Sequence, residues 1–196
     1  MAKTKAGGTP ATVALTKAGV AFTLHPYDRH PDAAGFGDEA ADALGVSRDR
    51  IFKTLVVDLG PELVVAVVPV ARQLDLKALA AALRAKKAAL ADPEAAERSS
   101  GYVLGGISPL GQRTRLRTVV DTSALDFDLV LVSAGKRGLQ VELAPADLLG
   151  VTGAVTAPLS SRAARRPTAD EIMAPRDVGF DDSFDEVEAL SPVREW

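Results

Sequence analysis

The stretch Ile51-Phe52-Lys53-Thr54-Leu55-Val56-Val57-Asp58-Leu59, continued by Gly60-Pro61-Glu62 and Leu63-Val64-Val65-Ala66-Val67-Val68-Pro69, decides the fold. Two runs dominated by β-branched residues flank a Gly-Pro turn, which is the pattern of a β-hairpin. Lys53 interrupts the first run. A period of 2 puts it on the face of Ile51 and Leu55, and burying an ammonium is costly unless it meets an anion. Pattern alone leaves two readings open: a lysine on the wet face of an edge strand, or a cation held in an apolar wall for an anionic ligand.

On the N-terminal side of the hairpin, Thr9-Pro10 is a cap followed by a first-turn proline, opening a helix to Lys17 that closes at Gly19. Val20 to Tyr27 alternates like a strand. The turn Tyr27-Asp28-Arg29-His30-Pro31-Asp32 follows, with His30 read as a turn residue rather than a base. Gly35-Phe36-Gly37-Asp38-Glu39 leads into a helix ending near Leu44-Gly45, its two carboxylates favourably placed in the first turn. On the C-terminal side, Asp75 caps a helix expected to reach Lys87, and Asp92-Pro93 opens another through Arg98. Strands are expected near Thr118–Asp121, Leu129–Ser133 and Leu139–Leu143, then a short helix from Pro145 to Leu149. Strand pairs and helices interleave without a strict βαβ rhythm. The expected class is therefore α+β, with a curled, mainly antiparallel, barrel-like mixed sheet surrounded by helices.

Between Gly101 and Gln112 lie four glycines, a serine and a proline: Gly101-Tyr102-Val103-Leu104-Gly105-Gly106-Ile107-Ser108-Pro109-Leu110-Gly111-Gln112. Gly105-Gly106 and Gly111 mark sharp turns. Paired glycines also let a ligand approach bare amide groups, an anion-accepting concavity; the plainer reading is a tight loop with no ligand. The spacing matches neither a phosphate loop nor a dinucleotide fingerprint. Gly135-Lys136-Arg137-Gly138 places two cations at a strand end, either solvated or a phosphate contact beside another site.

Composition narrows the chemistry. The chain of 196 residues is 47% hydrophobic and 5% aromatic, so its core is built of Val, Leu and Ala. With no cysteine there is no disulfide, thiolate metal site or cysteine nucleophile, and two histidines cannot build a three-histidine metal site. No metal or other cofactor is expected. Residues 1–8 are basic but precede no apolar segment, and no apolar run is long enough to span a bilayer, so a cytoplasmic protein without a membrane partner is expected. Net charge is −3, unevenly spread: residues 157–196 hold 5 Lys/Arg against 9 Asp/Glu, and residues 1–156 hold 18 against 17. That balance permits contact with a nucleic-acid backbone without demanding it; no DNA partner is expected. The expected organisation is a flexible N-terminus over 1–8, one domain over 9–157, and an acidic extension over 158–196, disordered or only locally packed. Ser108, Ser133 and Thr54 offer hydroxyls, but none has a neighbouring catalytic histidine in sequence.

Taken together, several stretches resemble the YbaK/EbsC family of aminoacyl-tRNA deacylases, related to the editing domain of bacterial prolyl-tRNA synthetases. They are Phe36-Gly37-Asp38-Glu39, Phe52-Lys53-Thr54-Leu55, Val67-Val68-Pro69-Val70, Gln73-Leu74-Asp75-Leu76-Lys77, Ala91-Asp92-Pro93, Gly101 to Gln112, and Ser133-Ala134-Gly135-Lys136-Arg137-Gly138-Leu139. Their order and spacing cover about residues 9–155, nearest to the type that clears Cys-tRNA(Pro). The resemblance implies that Lys53 is the required catalytic lysine, meeting the 3′ end of the aminoacyl-tRNA, and that Tyr27, Thr54, Gly105 and Ser133 line the aminoacyl pocket. Gly106, Ile107, Ser108, Gly135, Lys136 and Arg137 join the expected substrate-binding set through the matching loops. Gln140 joins it too, standing where some relatives carry aspartate, which removes a charge.

The implied reaction needs no protein nucleophile, because the substrate's thiol attacks its own ester carbonyl while Lys53 and the Gly105-Gly106 amides orient the ester and hold the oxyanion. The implied partners are aminoacyl-tRNA and prolyl-tRNA synthetase. Two alternatives remain at this point: a deacylase of another mischarged tRNA such as Ala-tRNA(Pro), and a non-catalytic module that binds tRNA or synthetase.

Overall fold

The computed structural model describes residues 8–28 and 35–162. His30, most of the N-terminal segment and the acidic stretch beyond Arg162 lie outside the described residues. The hairpin forms as expected: β2 (Ile51–Asp58) pairs antiparallel with β3 (Leu63–Pro69), from Phe52 opposite Pro69 to Asp58 opposite Leu63. Gly60 turns the chain at φ 100°, and its amide donates to the Asp58 side chain.

The other strands are β1 (Thr23–Pro26), β4 (Arg72–Leu74), β5 (Ala89–Leu90), β6 (Arg117–Asp121), β7 (Val130–Lys136), β8 (Leu139–Leu143), β9 (Val155–Ala157) and β10 (Ser160–Arg162). Around the hairpin the sheet runs β1–β8–β7–β2–β3–β6–β9. β1–β8, β7–β8, β2–β3 and β2–β5 are antiparallel, whereas β2–β7, β3–β6 and β6–β9 are parallel. The sheet is therefore mixed and mainly antiparallel, as the α+β reading requires.

β3 is covered on both faces, which is why its sequence reads as an unbroken apolar run. Val65 and Val67 enter one core with Phe52, Ala11 and Leu15 of α1 (Pro10–Lys17) and Leu148 of α5 (Pro145–Thr152). Val64, Ala66 and Val68 enter a second core with Leu79 of α3 (Leu76–Ala82) and Leu159. Burying each of the valine, leucine and phenylalanine side chains contributes roughly 1.5–3 kcal/mol. The helix starts follow their caps: Thr9, Asp75 and Asp92 each accept amide hydrogen bonds from the first turn, the last opening α4 (Pro93–Ser100).

Two expectations are corrected. The helix expected to reach Lys87 stops at Ala82, and Arg84 turns the chain at φ 56° with the Ala85 amide bonded to the Ala80 carbonyl. Helix propensity in this alanine-rich stretch yields to tertiary pairing, because Ala89 and Leu90 extend the sheet along Asp58 and Val57. The packed body also continues past the expected boundary at 157. Leu159 is fully buried, and β10 pairs antiparallel with β4, Ser160 opposite Leu74 and Arg162 opposite Arg72.

The same alternation isolates Lys53. Ile51 packs with Ala40 and Ala41 of α2 (Phe36–Leu44), while Leu55 packs against the Val57–Leu79 core. Lys53 stands between these two apolar clusters.

Candidate active site

β2 and β7 run parallel for only two residue pairs, Ile51 with Leu131 and Phe52 with Val132. Beyond them the strands part. The gap between Thr54 and Ser133 is a cavity of about 420 Å³, walled by the start of α2, by Val70 and by the glycine loop, a size in the range of small-molecule sites. Among its lining residues are Lys53, Thr54, Gly105, Ile107, Ser133 and Gln140, all six expected from the sequence, together with Phe36, Asp38, Val70 and Leu104.

Lys53 is half-buried, and its Nζ donates a 2.6 Å hydrogen bond to the Arg72 carbonyl oxygen on β4. Burial pushes the ammonium below the usual lysine range, and the charge of Asp38 opposes that shift. Asp38 itself is paired with Arg48 at 2.7 Å, so it does not neutralise Lys53 by direct contact. An ammonium has three donors, and one carbonyl satisfies only one of them.

Two further polar atoms face the same need. Thr54 Oγ1 and Gln140 Oε1 are buried with no hydrogen-bond partner among the described residues. Leaving such groups unpaired is costly, and native proteins rarely do so without a ligand or water in reach. Gln140 sits directly across the β7–β8 ladder from Ser133.

The glycine loop is held from behind. Ser133 Oγ donates to the Gly106 carbonyl at 3.0 Å and accepts from the Gly135 amide at 3.2 Å. The Gly106 amide donates to the Val103 carbonyl at 2.9 Å, closing the turn. This corrects the expected pairing of Gly105 and Gly106 as joint amide donors. Gly106 is a packing glycine, where a Cβ would press on the backbone of Lys136 and Arg137. Gly105, at φ 79°, has an amide without a hydrogen-bond partner among the described residues, and a Cβ there would lie 2.7 Å from the Phe36 ring.

Other expected residues stand back from the cavity. Tyr27 packs against the Ala40–Ile51–Leu131 cluster, and its amide bonds the Gly138 carbonyl. Ser108 is fully buried, its hydroxyl accepting from the Leu110 amide. Gly135, at φ 86°, lies against Tyr102, whose buried hydroxyl donates to Leu110. Lys136 is exposed. Arg137 borders the mouth, its guanidinium 5.1 Å from the centre of the Phe36 ring and its Nε donating to the Leu104 carbonyl at 2.7 Å. Phe36 and Leu104 lie in stretches that carry the resemblance but outside the expected site set; an aromatic residue at a glycine-flanked helix start is the signal available for the first.

The family model describing the aminoacyl-tRNA editing domain matches residues 30–151, a span that contains every wall of the cavity. The chain belongs to the aminoacyl-tRNA editing domain family. Over 128 residues this editing domain is 40% identical to an Enterococcus faecalis protein assigned as a Cys-tRNA(Pro)/Cys-tRNA(Cys) deacylase, EbsC, covering 64% of the chain and 77% of that protein. It superposes on a crystal structure assigned as a trans-editing enzyme for prolyl tRNA synthetase with a TM-score of 0.69 and 25% identity, covering 78% of this chain and 95% of the other. A second solved structure, of a hypothetical protein, gives a TM-score of 0.70 at 26% identity, covering 78% and 100%. The α+β fold of this editing domain is thus the fold of the YbaK-like structures. Among its described residues no helix is long and apolar enough to cross a membrane.

Proposed function

We infer that the protein is an aminoacyl-tRNA deacylase that clears mischarged Cys-tRNA(Pro), and also Cys-tRNA(Cys). The observation that carries this reading is the juxtaposition of the Lys53 ammonium with two buried polar atoms that have no partner among the described residues, the Thr54 hydroxyl and the Gln140 amide oxygen, around one cavity of an editing domain. The 3′-terminal ribose and its aminoacyl ester enter the cavity, with Lys53 meeting the anionic or carbonyl oxygens and Arg137 and Lys136 facing backbone phosphates at the mouth.

The family resemblance implies that the nucleophile comes from the substrate, and a described lining that holds hydroxyls but no histidine beside them fits that reading. The cysteinyl sulfur attacks its own carbonyl carbon, the ester C–O bond breaks, and the ribose oxygen leaves with a proton; the resulting strained four-membered thiolactone hydrolyses in water. The Lys53 ammonium and the Gly105 amide are donors placed to meet the developing oxyanion. Proline and cysteine differ little in size, and a pocket discriminates a methylene-sized difference by only about 1–3 kcal/mol. A synthetase that makes this error needs a second site to remove it.

The body is nearly neutral and offers little basic surface for reading an anticodon. Selection of tRNA(Pro) therefore falls to prolyl-tRNA synthetase, beside which this protein acts in the cytoplasm. Deacylation assays with Cys-, Ser- and Ala-tRNA(Pro) test the reading. Turnover of the cysteinyl ester with near-complete loss on the seryl ester supports it; equal rates on cysteinyl and seryl esters contradict thiol attack, and preference for alanyl ester contradicts the substrate assignment.

A further inference from the structure

Among the described lining residues of the cavity there is one cation, Lys53 on β2, and one carboxylate, Asp38 in the first turn of α2. The two line the same space without touching. Asp38 acts on Lys53 through its charge, while the Lys53 Nζ is bonded to the Arg72 carbonyl. Asp38 is steadied by Arg48, which donates through Nε to Asp38 Oδ1 at 2.7 Å and grips both oxygens of Asp42, one turn along the helix, at 2.7 and 2.8 Å. The other oxygen, Asp38 Oδ2, has no hydrogen-bond partner among the described residues. It lies beside Gly35, a second lining residue, where a Cβ would come within 3.3 Å of it. A helix start favours a carboxylate in its first turn whichever way it faces; what is particular to Asp38 is its place on the cavity wall.

An aminoacyl ester brings two polar ends into such a space. Its carbonyl oxygen accepts hydrogen bonds; its α-amino group, two bonds from the carbonyl carbon, donates them and is largely protonated near neutral pH. A second cation entering beside the Lys53 ammonium is repelled unless a carboxylate compensates it. Thr54, Ser133 and Gln140 offer only neutral oxygens, and charge-assisted hydrogen bonds are about twice as strong as neutral ones.

We propose that Asp38 is a substrate-binding residue that takes the free α-amino group of the aminoacyl ester through Oδ2 while Lys53 meets the ester oxygens. This rests on the editing reading above and deepens it: the pair reads the ester from both ends, and the carboxylate sets a preference for esters that carry a free amine. Arg48 holds Asp38 by its far oxygen and leaves Oδ2 for the substrate.

The test compares tRNA(Pro) carrying cysteine with tRNA(Pro) carrying β-mercaptopropionate, which keeps the thiol and lacks the amino group. Single-turnover kcat/KM is measured, after subtraction of uncatalysed hydrolysis, for the wild-type full chain and for Asp38→Asn, with the fold checked by circular dichroism; Asp38→Ala repeats the measurement should the asparagine protein fail to fold. The intrinsic reactivities of the two esters cancel when the ratio in the variant is set against the ratio in the wild type. The wild type is expected to prefer the cysteinyl ester at least tenfold, and the folded variant to lose at least fivefold of that preference through slower cysteinyl cleavage, with its rate on the amine-free ester within twofold of wild type. An unchanged preference in the folded variant overturns the proposal and leaves the amine to a neutral acceptor such as Gln140. Equal loss on both esters also overturns it, because Asp38 would then act only through the charge of Lys53 or the start of α2. Wild-type protein that cleaves the cysteinyl ester without preferring it removes the role of Asp38 and spares the editing reading; wild-type protein that cleaves no cysteinyl ester removes both.

Discussion

The Lys53 Nζ donates to the carbonyl oxygen of Arg72 at 2.6 Å, which ties the one ammonium among the described lining residues of the cavity to the backbone of β4. β4 is paired only with β10 in its two-stranded sheet, so the last described strand of the body stands behind the strand that orients the lysine. The bond leaves two ammonium donors for a ligand, and it fixes the direction in which they point.

Because burial lowers the Lys53 pKa more than Asp38 raises it, the charged form fails at a lower pH than for a free lysine. If the ammonium is the active form, enzyme-catalysed deacylation, corrected for alkaline hydrolysis of the free ester, declines on the high-pH side with an apparent pKa below the ordinary lysine range. For stability the sign is opposite to that of a paired cation: a folded-state pKa below the unfolded one destabilises the fold where lysine is charged in both states. The penalty is relieved as pH rises through the folded pKa. Lys53→Met therefore loses turnover and gains stability at pH 7, measurable by urea titration. A variant that loses both would show that the lysine is structural.

Thr54→Val separates function from stability in the same way. The hydroxyl is buried with no partner among the described residues, so replacing it with an isosteric methyl removes an unpaired polar group and is expected to stabilise the free protein by about 1 kcal/mol. If that hydroxyl meets the aminoacyl ester, the variant loses at least tenfold in kcat/KM. Destabilisation by the same substitution would reveal a partner for Thr54 in the free protein.

Asp121 is the buried carboxylate that anchors the last strands. Burial raises its pKa, but the hydrogen bonds from the Ser123 hydroxyl and amide and from the Leu159 amide outweigh burial and hold it below its ordinary value. A depressed carboxylate pKa adds stability above the unfolded-state value, and that stability is lost as pH falls through the folded one. Asp121→Ala is expected to cost about 2–3 kcal/mol at pH 7, since it strands two buried amides, and to flatten the acid limb of the stability curve. An unchanged acid limb would assign that dependence to other carboxylates.

Much of this architecture was legible in the chain. The hairpin at 51–69 declared itself because a strand buried on both faces has nothing but apolar residues to show, and the period-2 placement of Lys53 beside Ile51 and Leu55 held in three dimensions. β10 was hidden because Ser160-Ser161-Arg162 has little strand propensity and acquires its pairing only from the distant Arg72–Leu74. The role of Gly106 is hidden for a related reason: two adjacent glycines look alike in sequence, and only the fold shows that one amide closes a turn onto Val103 while the other has no partner among the described residues.

The central claim is that the Lys53 ammonium at this cavity acts on the aminoacyl ester of a charged tRNA. Single-turnover deacylation of Cys-tRNA(Pro) by wild-type protein and Lys53→Ala, with the fold checked by circular dichroism, tests it most directly. The account predicts rapid deacylation by the wild type and a loss of at least a hundredfold in the folded variant; a Lys53→Ala protein that deacylates at the wild-type rate would contradict it.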